Sequence, residues 1–151
     1  MTDETYEYYF GKYGLGRHNR LDGYMIIHEN KGQTRVVFYN SQDRLHREDG
    51  PAVINGHGDR IWAIDGYRHR TDGPALILHT GEQYWYDHGD FHRLDGPAMI
   101  NTLSTNGSWY VNDYNITSQI TAWAEQNQID LINICQIVKV NLVLFCPSSN
   151  L

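Results

Sequence analysis

Short apolar runs, each closed by a glycine-containing turn, set the pattern of this chain. Ala52-Val53-Ile54 ends at Asn55-Gly56-His57-Gly58, and Ala75-Leu76-Ile77-Leu78 ends at His79-Thr80-Gly81. The runs that follow are aromatic and β-branched, Ile61-Trp62-Ala63-Ile64 and Tyr84-Trp85-Tyr86, and each leads into another glycine turn. Paired runs of about five or six residues joined by such turns suit one β-hairpin. A helix of about 10–12 residues with its connections does not fit between the turn signals.

These turns recur at a fixed step. His46-Arg47-Glu48-Asp49-Gly50-Pro51-Ala52 returns as His69-Arg70-Thr71-Asp72-Gly73-Pro74-Ala75, and again as His92-Arg93-Leu94-Asp95-Gly96-Pro97-Ala98, 23 residues apart each time. Trp62, Trp85 and Trp109 keep phase with it. Gly66 and Gly89 follow the first two tryptophans by four residues, and Asp113 takes that place after the third. Within Asp-Gly-Pro, glycine supplies unusual dihedrals and proline fixes the start of the next run. Upstream, Arg20-Leu21-Asp22-Gly23-Tyr24-Met25-Ile26-Ile27 is a decayed copy. Asn19 replaces its histidine, and Tyr24-Met25 replaces Pro-Ala. Tyr8-Tyr9-Phe10-Gly11 reads as the closing half of a still earlier unit.

Self-similarity of this kind is the mark of a repeat array. The expected fold is mainly β: a single-layer antiparallel meander of β-hairpin repeats, with a short C-terminal α-helical cap. Roughly eight or nine strands would span on the order of 40 Å. The repeat sheet is expected over residues 1–116, as a degenerate unit at about 6–44 and regular units at 45–68, 69–91 and 92–116. A helical extension should occupy 117–151. Thr117 is placed to N-cap a helix in which Ile120, Trp123 and Ala124 share a face, with Asn127 as its stop. Beyond it, Val138, Val140, Leu142 and Leu144 fit a strand, while Ile134, Ile137, Val138, Leu142 and Phe145 fit a helix. The reading leans to the helix and both stay open. Either form would cover the open edge of the last hairpin.

The heptapeptide His-Arg-x-Asp-Gly-Pro-Ala, followed by a Gly…Trp…Gly half, resembles the MORN-repeat variant, a family of β-hairpin repeats frequent in tailed phages and large DNA viruses. The segment after the repeats, with Ile120, Trp123, Ile129-Asp130, Leu142 and Phe145, resembles the helical extension of such phage proteins. The resemblance implies binding or scaffolding, to protein or lipid, without choosing between them. The chain departs from the pattern where the first unit lacks Pro-Ala and where Asp113 replaces a glycine.

Charge narrows the functional classes. Against 12 Lys and Arg stand 18 Asp and Glu, a net −6 over 151 residues, which disfavours nucleic acid as a partner. The aromatic fraction of 13%, with 11 tyrosines and 4 tryptophans, argues for a folded core. No apolar run approaches the roughly 20 residues of a membrane span. The start, Met1-Thr2-Asp3-Glu4-Thr5, does not read as a secretory signal, so a cytoplasmic location is expected, the host cytoplasm if the protein is viral. Cys135 and Cys146 are expected as free thiols.

Eight histidines invite a metal reading. Equivalent positions in adjacent units lie two strands, or about 9.6 Å, apart, too far for His46, His69 and His92 to share one ion. No metal and no cofactor are therefore expected. His46, Arg47, Asp49, Gly50 and Pro51, with His69, Arg70, Asp72, Gly73 and Pro74, and His92, Arg93, Asp95, Gly96 and Pro97, are read as structural. In that reading Arg47, Arg70 and Arg93 pair with the aspartates of their own or a neighbouring turn. Enzyme signatures are missing: there is no Gly-x-Ser-x-Gly, His-Glu-x-x-His, P-loop or dinucleotide fingerprint.

One short tail cannot cover both faces of a single sheet, so part of the aromatic surface should be open to a partner. Trp62, Tyr84, Trp85, Tyr86, Phe91 and Trp109 are the contact candidates, with some tryptophans serving the core instead. The functional expectation is a non-catalytic, phage- or virus-encoded protein that engages, and can inhibit, a host protein or defence complex. Alternatives are binding of a nucleotide or other small phosphorylated ligand, with a place between subunits of a homo-oligomer as one form of it, and a structural or scaffold role.

Overall fold

The structure, a computed structural model, describes residues 6–20, 23–30, 33–102 and 107–129. The helix-or-strand alternative at 128–146 falls almost wholly outside them. Among these residues the chain is mainly β, with one antiparallel sheet of eight strands, three two-stranded hairpins and two short helices.

Three long strands begin the sheet: β1 (Gly16–Arg20), β2 (Gly23–Asn30) and β3 (Gln33–Tyr39). Their continuous register, Met25 facing Phe38 and Ile27 facing Val36, brings apolar side chains together. The sheet continues through β4 (Val53–Asn55), β5 (Arg60–Ile61), β8 (Leu76–Ile77), β9 (Gln83–Tyr84) and β12 (Met99–Ile100). Between them come three small hairpins, β6–β7 (Ala63–Ile64, Tyr67–Arg68), β10–β11 (Tyr86–Asp87, Asp90–Phe91) and β13–β14 (Tyr110–Val111, Tyr114–Asn115).

A 23-residue step thus builds two hairpins, where the sequence reading counted one. The break falls at the tryptophan. Trp62 donates its N–H to Ala75 across the main sheet, while its carbonyl accepts from His69 and closes the small hairpin. Trp85 repeats this with Ala98 and His92. The turn positions explain the second hairpin. Asp65 and Gly66, His88 and Gly89, and Asn112 and Asp113 all have φ between 47° and 104°, the conformation of two-residue type I′ turns. Each such turn also bonds to the residue just before a heptapeptide: Gly66 N–H to Leu45 O and, across the unit boundaries, Gly89 N–H to Arg68 O and Asp113 N–H to Phe91 O, at 2.8–3.0 Å. A second ladder therefore joins unit to unit beside the main sheet.

Near the N-terminus, Tyr8–Gly11 is not half of a repeat. It lies in α1 (Tyr6–Tyr13), which ends at Gly14 with φ of 71°. The helix is held by packing: Tyr9 meets Phe38 edge-on at 5.4 Å and joins a buried cluster with Met25, Ile27, Val36 and Ile54. At the other end, α2 (Thr117–Gln126) buries Ile120 and Ala124, while Trp123 is half-buried. Thr117 is not the N-cap; Ile116 occupies that place without a side-chain cap, because the Thr117 hydroxyl accepts the Trp109 N–H at 2.9 Å. Asn127 is the C-cap.

Candidate functional site

The heptapeptides fold around their arginines. In each, Nε donates to the aspartate two residues on: Arg47 to Asp49 at 2.6 Å, and Arg70 to Asp72 and Arg93 to Asp95 at 2.7 Å. Nη1 donates to the proline carbonyl four residues on, at 3.1–3.4 Å. The guanidinium also lies over an aromatic ring, Arg47 over Phe38, Arg70 over Trp62 and Arg93 over Trp85, at 4.4, 4.0 and 3.9 Å. Glycine is required beneath it. A Cβ at Gly73 or Gly96 would come within 3.2 or 2.9 Å of that guanidinium carbon. The Arg70 hydrogen bond and charge hold the Asp72 carboxyl below its ordinary range. Burial works to raise Asp49, but the bond to Arg47 and the charges of Arg47 and Arg20 outweigh it.

The histidines reach the far end of their own unit. His46 Nδ1 lies 3.0 Å from Asp65 Oδ1 and accepts the Asp65 N–H at 3.1 Å. His69 Nδ1 lies 2.9 Å from Asp87 Oδ1, and His92 Nδ1 lies 2.6 Å from Asn112 Oδ1. Each heptapeptide's histidine thus clasps a side chain at the I′ turn that follows it.

Between the second and third heptapeptides opens a cleft of about 650 Å³, whose walls include Arg70, Asp72, Trp85, Asp87, Arg93 and Leu94. Its exposed charge is acidic. The side chains of Asp72 and Asp95 are 78% and 46% exposed, against 22% and 21% for Arg70 and Arg93. Leu94 stands out at 47% exposure.

The aromatic candidates fall into distinct groups. Trp62 and Trp85 are half-buried beneath their arginines. Tyr84, Tyr86 and Tyr110 each meet Phe91, with Tyr86 stacked on it at 4.4 Å. Tyr86 and Trp109 are buried, so among these candidates the accessible ones are Trp62, Tyr84, Trp85 and Phe91. Burial raises the Tyr86 hydroxyl pKa despite the nearby Arg68. Sequence reasoning overlooked the exposed Tyr67, Leu94 and Tyr114. Tyr67 and Tyr114 follow the I′ turns directly, which was the available signal.

The metal argument compared equivalent positions; the structure brings together non-equivalent ones. His69, Asp87 and His88 place their ligand atoms within 4.8 Å of one another. The signal was His88 itself, where the other turns carry Asp65 and Asn112.

Compared with protein-family models, curated proteins and solved structures, the chain matches nothing. Among the described residues, no helix is long and apolar enough to cross a membrane.

Proposed function

We propose that this is a non-catalytic binding protein that takes a protein partner, through its repeat array, at the cleft between the second and third heptapeptides. The observation that carries the reading is the state of the cleft's charged groups. Both arginines are spent on their own aspartates, proline carbonyls and tryptophans, while the acids and Leu94 stand outward. Such a surface suits a partner presenting basic and apolar side chains, since complementary charge steers encounter and an apolar contact adds affinity. A phosphorylated small ligand draws less support, because the cations that would meet a phosphate are already neutralised. If the chain is phage-encoded, as its MORN-like heptapeptides suggest, the partner is a host protein and binding inhibits it.

Capture from a host lysate, comparing the protein with its Leu94→Asp variant, tests this. A partner retained by the parent and lost by the variant supports the reading. A folded parent that retains nothing overturns it.

A further inference from the structure

We propose that His69, Asp87 and His88 form a binding site for a divalent transition-metal ion of the zinc type, clamping the heptapeptide at the start of the second regular unit to the I′ turn near its end. The three side chains converge on one point. Asp87 Oδ1 lies 2.9 Å from His69 Nδ1 and 2.6 Å from His88 Nδ1. The imidazole rings stand 4.1 Å apart between centroids, inclined by 36°. Two imidazole nitrogens and a carboxylate select zinc, nickel, cobalt or copper over calcium or magnesium, which prefer all-oxygen sets.

In a tetrahedral site with bonds of about 2.0–2.1 Å, neighbouring ligand atoms stand about 3.3 Å apart. Asp87 Oδ1 must therefore draw back from the two imidazole nitrogens, by about 0.4 Å from His69 and about 0.7 Å from His88. The triad's most exposed members supply that freedom: the His88 side chain is 67% exposed and that of Asp87 48%, while His69 is anchored at 18%. The fold prepares the site by the I′ turn, which turns His88 back toward the histidine of the preceding heptapeptide. Without metal, His88 N–H donates to His69 Nδ1 at 3.3 Å, a bond the ion would displace because that nitrogen has a single lone pair. Equivalent places in the array lack one ligand. His46 meets only Asp65 there, and His92 meets the amide of Asn112, a poor metal ligand. Three protein ligands leave a fourth position for water or for a donor from a partner, beside the cleft that His69 and Asp87 also line.

The test is titration of the whole protein with zinc, and with cobalt as a spectroscopic substitute. The parent should gain thermal stability with zinc and show the visible bands of tetrahedral cobalt. His88→Asn copies the next turn's residue; it should keep the metal-free melting midpoint and weaken zinc binding by at least about tenfold. Imidazole NMR signals decide the matter without a variant. Those of His69 and His88 should respond to zinc before those of His57 and His79. A parent that binds no zinc, equal binding by His88→Asn, or a first response from His57 and His79 would each overturn the proposal.

Discussion

Arg93 lies over the ring of Trp85, its guanidinium carbon 3.9 Å from the ring centroid, while its Nε holds Asp95 at 2.7 Å. The same arrangement joins Arg70 to Trp62 and Arg47 to Phe38. A cation that stacks and donates in fixed directions needs a planar guanidinium, and lysine does not replace it. Arg70→Lys should cost about 1 kcal/mol or more in chemical denaturation, from the lost stacking and hydrogen bonds. Arg47→Lys should cost more than Arg70→Lys, because Arg47 is 4% exposed and its loss leaves the carbonyl of buried Pro51 without a donor.

Gly96 tests why the heptapeptide carries glycine after aspartate. A methyl group there meets the Arg93 guanidinium, which cannot retreat without leaving Trp85 and Asp95. Gly96→Ala should destabilise the fold by about 1–2 kcal/mol, an overpacking cost. Thermal melting of the variant, alone and combined with Arg93→Ala, checks it. The alanine should cost less once the arginine is gone.

Helix α2 ends with Gln128 in the left-handed region, φ 55°, where Ile129 N–H reaches Ala124 O and Gln128 N–H reaches Glu125 O. These are the paired bonds of a Schellman motif, whose left-handed residue favours glycine. Gln128→Gly should stabilise the protein by about 1 kcal/mol, read as a higher denaturation midpoint.

Stability should fall in acid in two stages. Burial and the Arg35 charge hold the His28 pKa below 6.5, and His28 Nε2 accepts a bond from Arg35 Nε. The unfolded chain binds this proton more readily, so the His28 contribution is complete above pH 6.5 and is lost as pH falls through the lowered folded value. The Asp72 carboxyl, held by its bond to Arg70, lies below 3.8, and Asp49, Asp59 and Asp87 are likewise lowered by their partners against the effect of burial. Their contributions are complete above the unfolded value and disappear as pH drops through the folded ones. Melting midpoints measured from neutral pH to about pH 3 should decline gently, then steeply below about pH 4. His28→Gln should remove the first decline alone.

Much of the site was legible in the heptapeptides because turn chemistry is local. Asp-Gly-Pro announces its own backbone, and the spacing of Gly66 and Gly89 marks two of the I′ turns. The Arg-to-Asp bonds also span only two residues. Less legible was α1, where Tyr8–Gly11 carries a strand-like composition yet becomes helical against Phe38. Thr117 shows the same limit. Its side chain suits a cap, but an amide eight residues back, at Trp109, takes the hydroxyl.

From its sequence alone, the chain's step of 23 residues, its turn positions and its mainly β character follow, because alternation, glycine dihedrals and proline stiffness act within a few residues. The tertiary structure alone decided that each tryptophan splits its run between two hairpins. It also decided that His69 meets Asp87 and His88, and that the cleft's arginines are spent while its acids stay open. Those outcomes depend on the register of one unit against the next, and on side chains reaching across it, which local propensity does not specify.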